Sequence, residues 1–465
     1  MEAPILSFVS DLRVKRERVM LIPPQKVTER RSMFLSNIDQ KFVHYIQQYV
    51  DFFSAHPQIP FDVVIDVQKE ALGRIQDAYD VISGRLGFNS EQGRFEIDCN
   101  AAGAPVAICT SELSLEDLGD VSYPNPAFTQ LCLLSDSANR ILEDEPLISF
   151  QITRFTCGGF ALGTALNHSL MDGFALQEFA KNFTNMAIKG ELAFVPVNDR
   201  TCLKARSPLQ INYEHEEFIT PSETNQDDIL SSFMMQRSKD LWHTKVALNK
   251  PSEKHVFRLF LLSREMLEKL KMKAKNGGIE NCTSFIAPVA HLWRAKTAAM
   301  PNMKEDDIST IQYAVDIRSR LVSPLPPEFT GNRCLPTYMK ATFKELKEQP
   351  FYETVKKLQE GVDRLTNNYV MSAIDWLELY DGVVCLENGF LVSSWKHMQF
   401  GDVELGGGIK SLHGGPVVSG WADIVLFLPH PKDHEGIQIY IGLEPSQMVI
   451  FKNLIEKIDG YPISP

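Results

Sequence analysis

Strand-like and helix-like segments alternate along the whole chain, and this alternation restricts the fold more than any other feature of the sequence. Residues 148–155 and 160–166 have the apolar content expected of two strands. Residues 62–83 repeat apolar side chains at three- and four-residue spacing, which predicts an amphipathic helix. Residues 437–441 alternate isoleucine with other residues and predict a late strand. Such alternation is typical of the α/β class.

The length of 465 residues predicts two domains, with three as the alternative, because a domain usually holds about 100–200 residues. Between residues 190 and 222 the periodicity fades and proline recurs, as in a connecting segment. We therefore expect an N-terminal domain at 1–190, a crossover linker at 191–222 and a C-terminal domain at 223–465.

The formal net charge of −12 bears on the partners of the protein. An acidic chain lacks the basic surface that replaces counterions on nucleic acid, so we expect no nucleic-acid partner. The first residues lack the pattern of a secretory signal, and no window approaches ~18 uninterrupted apolar residues, so we predict no membrane span. The eight cysteines are scattered and form no zinc-like cluster. We expect a cytoplasmic protein without a metal site.

One short segment, 167–173 (NHSLMDG), carries the sharpest chemical signal. It follows a predicted strand and precedes a helical segment. A neutral imidazole at His168 could remove a proton near neutral pH. The local alternative is a capped turn, with Asp172 at the helix N-cap and His168 as a bonded loop residue. The segment alone leaves both interpretations open, because H-x-x-x-D is a loose pattern.

Six segments in the same order give that motif a context. The chain resembles the plant BAHD acyltransferases at LSNID (35–39), NHSLMDG (167–173), the NDR to RSP stretch (198–208), the TSF to HLWR stretch (283–294), the VDIRSR, PLPP and GN stretch (315–332) and SSW (393–395). The resemblance spans nearly the whole chain, and six ordered matches are far more specific than any one of them.

The resemblance implies a two-domain α/β fold like that of chloramphenicol acetyltransferase. Each domain would be a mixed sheet with flanking helices, and the active-site channel would lie at their interface. Coenzyme A would enter from one face and an alcohol or amine acceptor from the other. His168 would take the acceptor proton, and the acceptor would attack the thioester directly, without an acyl-enzyme. Acyl-CoA is thus a co-substrate, no cofactor is permanently bound, and the protein is expected to be a monomer.

Further roles also come from the resemblance. Asp172 should point away from the substrate and pair with Arg318, which with Gly173 would support the catalytic loop; Arg318 is otherwise an ordinary surface arginine. The indole N–H of Trp395 would donate to the tetrahedral oxyanion, unless Trp395 is a core aromatic beside the channel. Ser393 would line the acyl pocket.

The remaining expected site residues concern the two ends of the channel. Ser284 stands at a predicted helix N-terminus and would help to bind a phosphate of coenzyme A, with a plain N-cap as the alternative. Ser36 and Ile46 would border the acceptor side. Gly406 and Gly408 would contribute to coenzyme A binding.

One segment departs from the family pattern. The family has Asp-Phe-Gly-Trp-Gly after the position of Trp395, whereas this chain reads ELGGG at 404–408. Both aromatic residues and the aspartate differ, and two glycines remain. In the family this segment is usually considered structural, so the difference concerns stability or coenzyme A binding more than the base itself.

Residues 35–40, 369–376 and 414–418 narrow the resemblance to enzymes that transfer hydroxycinnamoyl groups to ω-hydroxy fatty acids or fatty alcohols. The implied donors are feruloyl-, coumaroyl- or caffeoyl-CoA, and the implied products are esters of the cutin, suberin or wax type. Within the family, a phenolic acceptor such as shikimate or a small donor such as acetyl-CoA is the alternative. A non-catalytic accessory protein of fatty-acid elongation is a third possibility, favoured by the altered 404–408 segment.

Overall fold

The computed structural model of the protein describes residues 9–134, 143–220, 255–301, 303–380, 382–384, 389–396, 398, 403–418, 423–433 and 435–458. The strands within these ranges are β1 Val14–Ile22, β2 Arg31–Phe34, β3 Ile46–Phe53, β4 Arg85–Asn89, β5 Arg94–Cys99, β6 Ala104–Ser111, β7 Ile148–Arg154, β8 Phe160–Asn167, β9 Phe218–Ile219, β10 Val256–Leu262, β11 Ile308–Asp316, β12 Cys334–Thr342, β13 Val383–Val384, β14 Gly389–Ser394, β15 Ser411–Pro416, β16 Ile424–Pro429 and β17 Ile437–Leu443. The α-helices are α1 Asn37–Gln40, α2 Phe61–Ile75, α3 Gly173–Lys189, α4 Arg264–Asn276, α5 Ile286–Ala298, α6 Phe343–Glu348, α7 Phe351–Arg364, α8 Asn367–Tyr380 and α9 Pro445–Ile455.

Each half of the chain is built on one six-stranded mixed sheet. The first has the order β1-β6-β7-β8-β3-β15, and the second has the order β10-β17-β16-β14-β11-β12. In the first sheet the β6–β7 pair is parallel, and in the second β14 is parallel to both of its neighbours. Helices α2 and α3 cover the first sheet, and α5, α7 and α9 contribute to the core of the second. This arrangement matches the predicted α/β class.

Local sequence signals fix where several helices begin. At α3 the Asp172 carboxylate accepts a hydrogen bond from the backbone N–H of Ala175 at 2.9 Å. At α4 the Ser263 hydroxyl accepts from the N–H of Met266 at 3.3 Å. A short polar side chain at the N-cap satisfies an N–H that has no partner inside the helix. The last helix, α9, has Pro445 at its first position, where proline removes no helical hydrogen bond.

The predicted helix at 62–83 is shorter than its apolar periodicity suggested. Helix α2 ends at Ile75, and a turn then leads to a short 3₁₀ helix at Asp80–Ser83. The break lets Tyr79 become fully buried, where its ring lies 5.2 Å from Phe179 of α3. Periodicity reports the buried face of a segment but not the residue at which tertiary packing ends the helix.

One strand departs from the predicted division at residue 222. Strand β15 belongs to the C-terminal half by sequence, yet it pairs with β3 at the edge of the first sheet, from Ser411 opposite Phe53 to Pro416 opposite Tyr49. A local boundary in the sequence does not reveal such a crossing, because strand pairing depends on contacts between residues several hundred positions apart. The two halves therefore share a sheet edge.

Across the described residues, no helix has the length and apolar character needed to cross a membrane.

Candidate active site

His168 lies directly after β8, where the chain turns toward α3. The pairing of β8 with β3 brings Asn167 opposite Ile46. One residue further on, the backbone N–H of His168 donates to the carbonyl of Tyr45 at 2.8 Å. The histidine is thus held at the end of a rigid ladder rather than in a free loop.

Aromatic side chains enclose the imidazole of His168. The ring of Phe42 stacks on it with centroids 4.1 Å apart and planes 13° apart, and the ring of Tyr45 lies at 5.6 Å. Burial lowers the pKa of His168 from its usual value to about 4, and its own carbonyl and the Asn332 side chain oppose this effect. The imidazole is therefore neutral near pH 7, which is the protonation state that a general base requires.

Asp172 uses both carboxylate oxygens to hold backbone groups. Oδ1 accepts from the N–H of Ala175 and Oδ2 accepts from the N–H of Arg333 at 3.0 Å. Burial raises the pKa of Asp172, and the nearby guanidinium of Arg333 lowers it. The N-cap interpretation of Asp172 is thus correct, and it is compatible with a role in shaping the loop around His168.

The predicted pair of Asp172 with Arg318 is wrong. Arg318 pairs instead with Asp316, from Nε at 2.8 Å and from Nη2 at 2.8 Å. The two residues are close in sequence at the end of β11, so the turn brings the guanidinium to its own neighbour. The arginine that acts electrostatically on Asp172 is Arg333, whose guanidinium also lies 5.0 Å from the ring of Phe174.

A cavity of about 380 Å³ contains His168 in its wall. Its lining comes from both halves of the chain, so the cavity lies at their interface. Much of the wall is apolar or aromatic, including the side chains Phe42, Tyr45, Phe174, Phe285, Leu391, Leu426 and Tyr440. Of the described residues that line it, none is a lysine or an arginine, whereas Asp172 and Asp316 are acidic. The site therefore suits a ligand with an extended apolar body.

Trp395 and Ser393 line the same cavity as His168. The indole Nε1 of Trp395 donates to the Ser393 hydroxyl at 3.0 Å, and its ring lies 5.5 Å from that of Tyr49. The indole N–H already has a hydrogen-bond partner in the free protein. Donation to an oxyanion would require this bond to be exchanged, so that role stays a prediction.

Gly173 is the first residue of α3 and also lines the cavity. A Cβ atom at this position would lie 2.2 Å from the terminal methyl group of Met398. The glycine thus allows a close approach between the start of α3 and the C-terminal half.

Ser284 is half-buried just before α5, next to the cavity residue Phe285. The N-cap residue of this helix is Phe285, and the hydroxyl that accepts from the N–H of Ile286, at 3.1 Å, is that of Thr283. The hydroxyl of Ser284 is therefore not needed as the N-cap, and its phosphate-binding role stays a prediction.

Ser36 and Ile46 do not belong to the described cavity lining. Ser36 is fully buried and caps α1, and its hydroxyl donates to Asp39 at 2.7 Å. Ile46 begins β3 and packs in an apolar cluster with Val50 and Phe52. The next two residues of the strand, Gln47 and Gln48, line the cavity instead.

The altered segment at 404–408 forms a tight turn, in which the N–H of Leu405 donates to the carbonyl of Ile409 at 3.0 Å. Gly406 and Gly408 both have positive φ, at 87° and 85°, which glycine adopts at low cost. Leu405 and Ile409 are buried in the core of the N-terminal half. Neither glycine is among the described cavity residues, so a structural role has direct support and coenzyme A binding stays a prediction.

Several residues of the site were missed in the sequence, namely Phe42, Tyr45, Asn332 and Arg200. Phe42 and Tyr45 follow the LSNID segment, while Asn332 and Arg200 lie within two of the segments that carry the family resemblance. Arg200 donates to the carbonyl of Ser169, next to His168. Membership in a motif could have singled out the last two, but only the fold brings them beside the histidine.

Known proteins resemble this chain over nearly its whole length. A sequence profile described as the Transferase family matches residues 12–458. Acyltransferase GLAUCE of Arabidopsis thaliana is 37% identical over 98% of each chain. The omega-hydroxypalmitate O-feruloyl transferase of that plant is 29% identical over 95% of this chain and 92% of the relative. Its fatty alcohol:caffeoyl-CoA acyltransferase is also 29% identical, over 96% and 99%.

Among solved structures, vinorine synthase matches the protein with a TM-score of 0.70 and 16% identity. The match covers 95% of this chain and 98% of that one. At this identity the likeness concerns the fold, and it confirms the predicted architecture of two mixed sheets with flanking helices.

Proposed function

Because the chain belongs to the Transferase family, the BAHD acyl-CoA-dependent acyltransferases, we propose that it esterifies a long-chain alcohol with a hydroxycinnamoyl group. The donor would be feruloyl-, coumaroyl- or caffeoyl-CoA, and the acceptor a fatty alcohol or an ω-hydroxy fatty acid. Two relatives with such names, the O-feruloyl transferase and the caffeoyl-CoA acyltransferase, support this choice.

The observation that carries the proposal is the position of a neutral histidine in the wall of an apolar cavity. The volume of about 380 Å³ lies within the ~300–1,000 Å³ of small-molecule sites. Aromatic walls suit a planar phenylpropenoyl group, and aliphatic walls suit a methylene chain. The acidic side chains of Asp172 and Asp316 disfavour anionic groups in the cavity. This favours a long-chain acceptor, whose reacting hydroxyl is far from any charge, over shikimate, whose carboxylate is close to its hydroxyls.

The proposed reaction uses His168 as a shuttle for one proton. The buried position of Nδ1 leaves Nε2 as the ring nitrogen available to the cavity. Nε2 takes the proton of the acceptor hydroxyl while its oxygen forms a bond to the thioester carbonyl carbon. The tetrahedral oxyanion then re-forms the carbonyl and expels the coenzyme A sulfur, which takes the proton from the imidazolium. General base catalysis of this kind contributes typically ~10²–10⁴-fold.

Lys396 and the N-terminus of α5 are the groups that we assign to the phosphates of coenzyme A. Lys396 follows the cavity residue Trp395 in the chain, so its ammonium group would offer a positive charge near the cavity. Ser284 stands just before α5, whose N-terminal dipole favours a phosphate. We also assign Ser284, Gly406 and Gly408 to the coenzyme A side in this proposal.

A donor-by-acceptor panel tests the proposal. Purified protein is incubated with feruloyl-, coumaroyl-, caffeoyl- or acetyl-CoA and with hexadecanol, 16-hydroxyhexadecanoic acid or shikimate, and the esters are identified by mass spectrometry. We expect hydroxycinnamoyl esters of the two long-chain acceptors, and none with His168→Ala. Preferential transfer to shikimate or from acetyl-CoA would contradict the proposed substrates while leaving the family activity in place.

The altered turn at 404–408 favours a second candidate, a non-catalytic accessory protein of fatty-acid elongation. The intact His168 and Asp172 in an open cavity favour the enzyme. If no ester forms with any pair in the panel, although the protein is folded and binds coenzyme A, the accessory role becomes the better explanation. A cytoplasmic monomer completes the proposal, and its molar mass in solution can be measured by light scattering.

A further inference from the structure

Arg200, from the segment between the two halves, holds the turn that carries His168. Its Nη1 donates to the carbonyl of Ser169 at 2.8 Å and its Nη2 to the carbonyl of Leu170 at 2.5 Å. The planar fork of a guanidinium suits two neighbouring acceptors of this kind. The side chain is fully buried. The two carbonyls are therefore hydrogen-bonded to a fixed, charged guanidinium and not to water. This contact limits the conformations of the residues directly after His168.

Asp39 connects that arginine to the C-terminal half. Its Oδ2 lies 3.3 Å from Nη1 of Arg200, and both side chains are fully buried. Its Oδ1 accepts from the backbone N–H of Asn332 at 3.0 Å and from the side-chain Nδ2 of Asn332 at 2.8 Å. Three distant segments thus meet at one carboxylate.

Asn332 extends the chain of contacts to the catalytic histidine. Its Nδ2 also donates to the carbonyl of His168 at 2.9 Å. Because Nδ2 faces two acceptors, Asp39 and His168, the orientation of the amide is determined and Oδ1 occupies the other side. Asn332 is itself buried, with 1% of its surface exposed.

Two buried atoms complete this geometry. Within the described part of the chain, neither Asn332 Oδ1 nor His168 Nδ1 has a hydrogen-bond partner that meets full geometric criteria. Burial lowers the pKa of His168, whereas its own backbone carbonyl and the Asn332 side chain raise it, as acceptor oxygens do when they face a ring N–H. Buried polar atoms are almost always paired, so Asn332 Oδ1, which has no other partner among the described residues, is the side-chain acceptor available to Nδ1 beside the His168 carbonyl.

We propose that Asn332, oriented by Asp39 and Arg200, is a positioning residue that keeps the proton of neutral His168 on Nδ1 and leaves Nε2 as the base. A neutral imidazole carries one proton, and only the other nitrogen can accept a second. The catalytic meaning of this inference rests on the proposed function, whereas the tautomer is a property of the free protein.

The tautomer can be measured without any substrate. Protein labelled with ¹⁵N-histidine gives separate nitrogen signals for protonated and unprotonated ring positions, and His168→Gln identifies the signals of His168. In the wild type at pH 7 we expect Nδ1 to be protonated and Nε2 unprotonated. In Asn332→Ala we expect the two signals to move toward each other, because both tautomers become populated.

Kinetics give the second measurement. In Asn332→Ala we expect kcat to fall ~10–10²-fold, a part of what a general base contributes, with a much smaller change in KM. Arg200→Lys keeps the charge but loses the fork, and it should show the same effects to a lesser degree. This variant also serves if Asn332→Ala does not fold.

Asn182→Ala is the matched control. Asn182 is as deeply buried as Asn332, and its amide binds Tyr79 and the chain at 193–194 rather than the histidine turn. It should lose stability but keep the wild-type tautomer.

A wild-type His168 protonated on Nε2 would overturn the inference, as would an unchanged tautomer in both Asn332→Ala and Arg200→Lys, or the same signal change in Asn182→Ala. A protein that transfers no acyl group, but whose fixed tautomer is released by Asn332→Ala, would support the inference and contradict the proposed function.

Discussion

His168 in the turn between β8 and α3 and His215 in the segment between the two halves are both held by buried polar partners, but they differ in access. The Nε2 atom of His215 lies 2.9 Å from the Ser372 hydroxyl, and its Nδ1 lies 2.9 Å from the Glu217 carboxylate. Serine, histidine and carboxylate follow one another here in the order of a hydrolase triad. His168, by contrast, has a less complete set of partners.

Access to a ligand separates the two histidines. His215, Glu217 and Ser372 are 4%, 1% and 0% exposed, and among the described residues of the cavity wall none of the three is present. Tyr369 donates to the second oxygen of Glu217 at 2.7 Å and completes a closed network. A base whose nitrogens are both occupied inside the protein joins segments together, whereas a base with one nitrogen facing a cavity can do chemistry. Proximity of the right residue types is therefore insufficient evidence for a catalytic site.

The largest expected effect is on turnover. His168→Gln should lower kcat by ~10²–10⁴-fold, because the attacking hydroxyl loses its proton acceptor. His215→Gln should leave kcat per folded molecule within about twofold of the wild type, since no step of the reaction uses it. Initial rates of thiol release from acyl-CoA measure both. A comparable loss in His215→Gln would remove the distinction between the two histidines.

Stability should show the opposite order. His215→Ala leaves Glu217 and Ser372 without one buried partner each, which costs about 1–3 kcal/mol in the free energy of unfolding. His168→Ala removes a ring that partly faces a cavity and should cost less. Urea unfolding followed by circular dichroism gives both values. A larger loss for His168→Ala would mean that the catalytic turn, not the buried network, is the main structural element.

Ser372 provides a more specific test of the buried network. Ser372→Ala should cost about 1 kcal/mol through its lost hydrogen bonds and leave acyl transfer unchanged. A fluorophosphonate probe, which labels activated serines, should not modify the wild-type protein at this position. Labelling of Ser372, detected by peptide mass spectrometry, would show that a reagent can reach it and that the network can act as a nucleophile.

The smallest expected effect is that of pH on the rate. A protonated imidazole cannot accept a proton, so activity falls as pH drops through the pKa of His168, which burial lowers to about 4. Between pH 7 and pH 5.5 we therefore expect kcat/KM to change less than twofold. With the ordinary His pKa of ~6.5 the rate would fall about tenfold over that interval. A midpoint near 6.5 in the pH profile would show that His168 is better solvated than the structure indicates.

Local sequence patterns predicted those parts of the fold that depend on neighbouring residues. The segments 148–155 and 160–166 form strands, and Asp172 caps α3. These features depend on the alternation of apolar side chains and on hydrogen bonds to backbone N–H groups only a few positions away. The family resemblance added the two-domain architecture, which periodicity alone does not specify.

Long-range contacts at the site were harder to predict. Asn332 is 164 positions from His168, and no local rule joins them. For Asn332 a long-range contact was missed, whereas for Arg318 a long-range contact was predicted that does not form. Arg318 was expected to pair with Asp172 but pairs with Asp316, two positions away. For a flexible charged side chain, the nearest carboxylate depends on the exact turn of the backbone. The cavity lining is likewise a property of the assembled halves and cannot be read from any one segment.

Strand β15 of the C-terminal half completes the first sheet. This pairing affects whether the chain can be cut into two fragments and whether its halves can separate. The five paired positions of β15 along β3 close an edge that would otherwise offer unpaired backbone groups to other chains. A fragment that stops at residue 222 would lack this closing strand and would be prone to aggregate. Separating the two halves would break the same ladder, so we expect reactants to reach the cavity while this sheet edge stays paired.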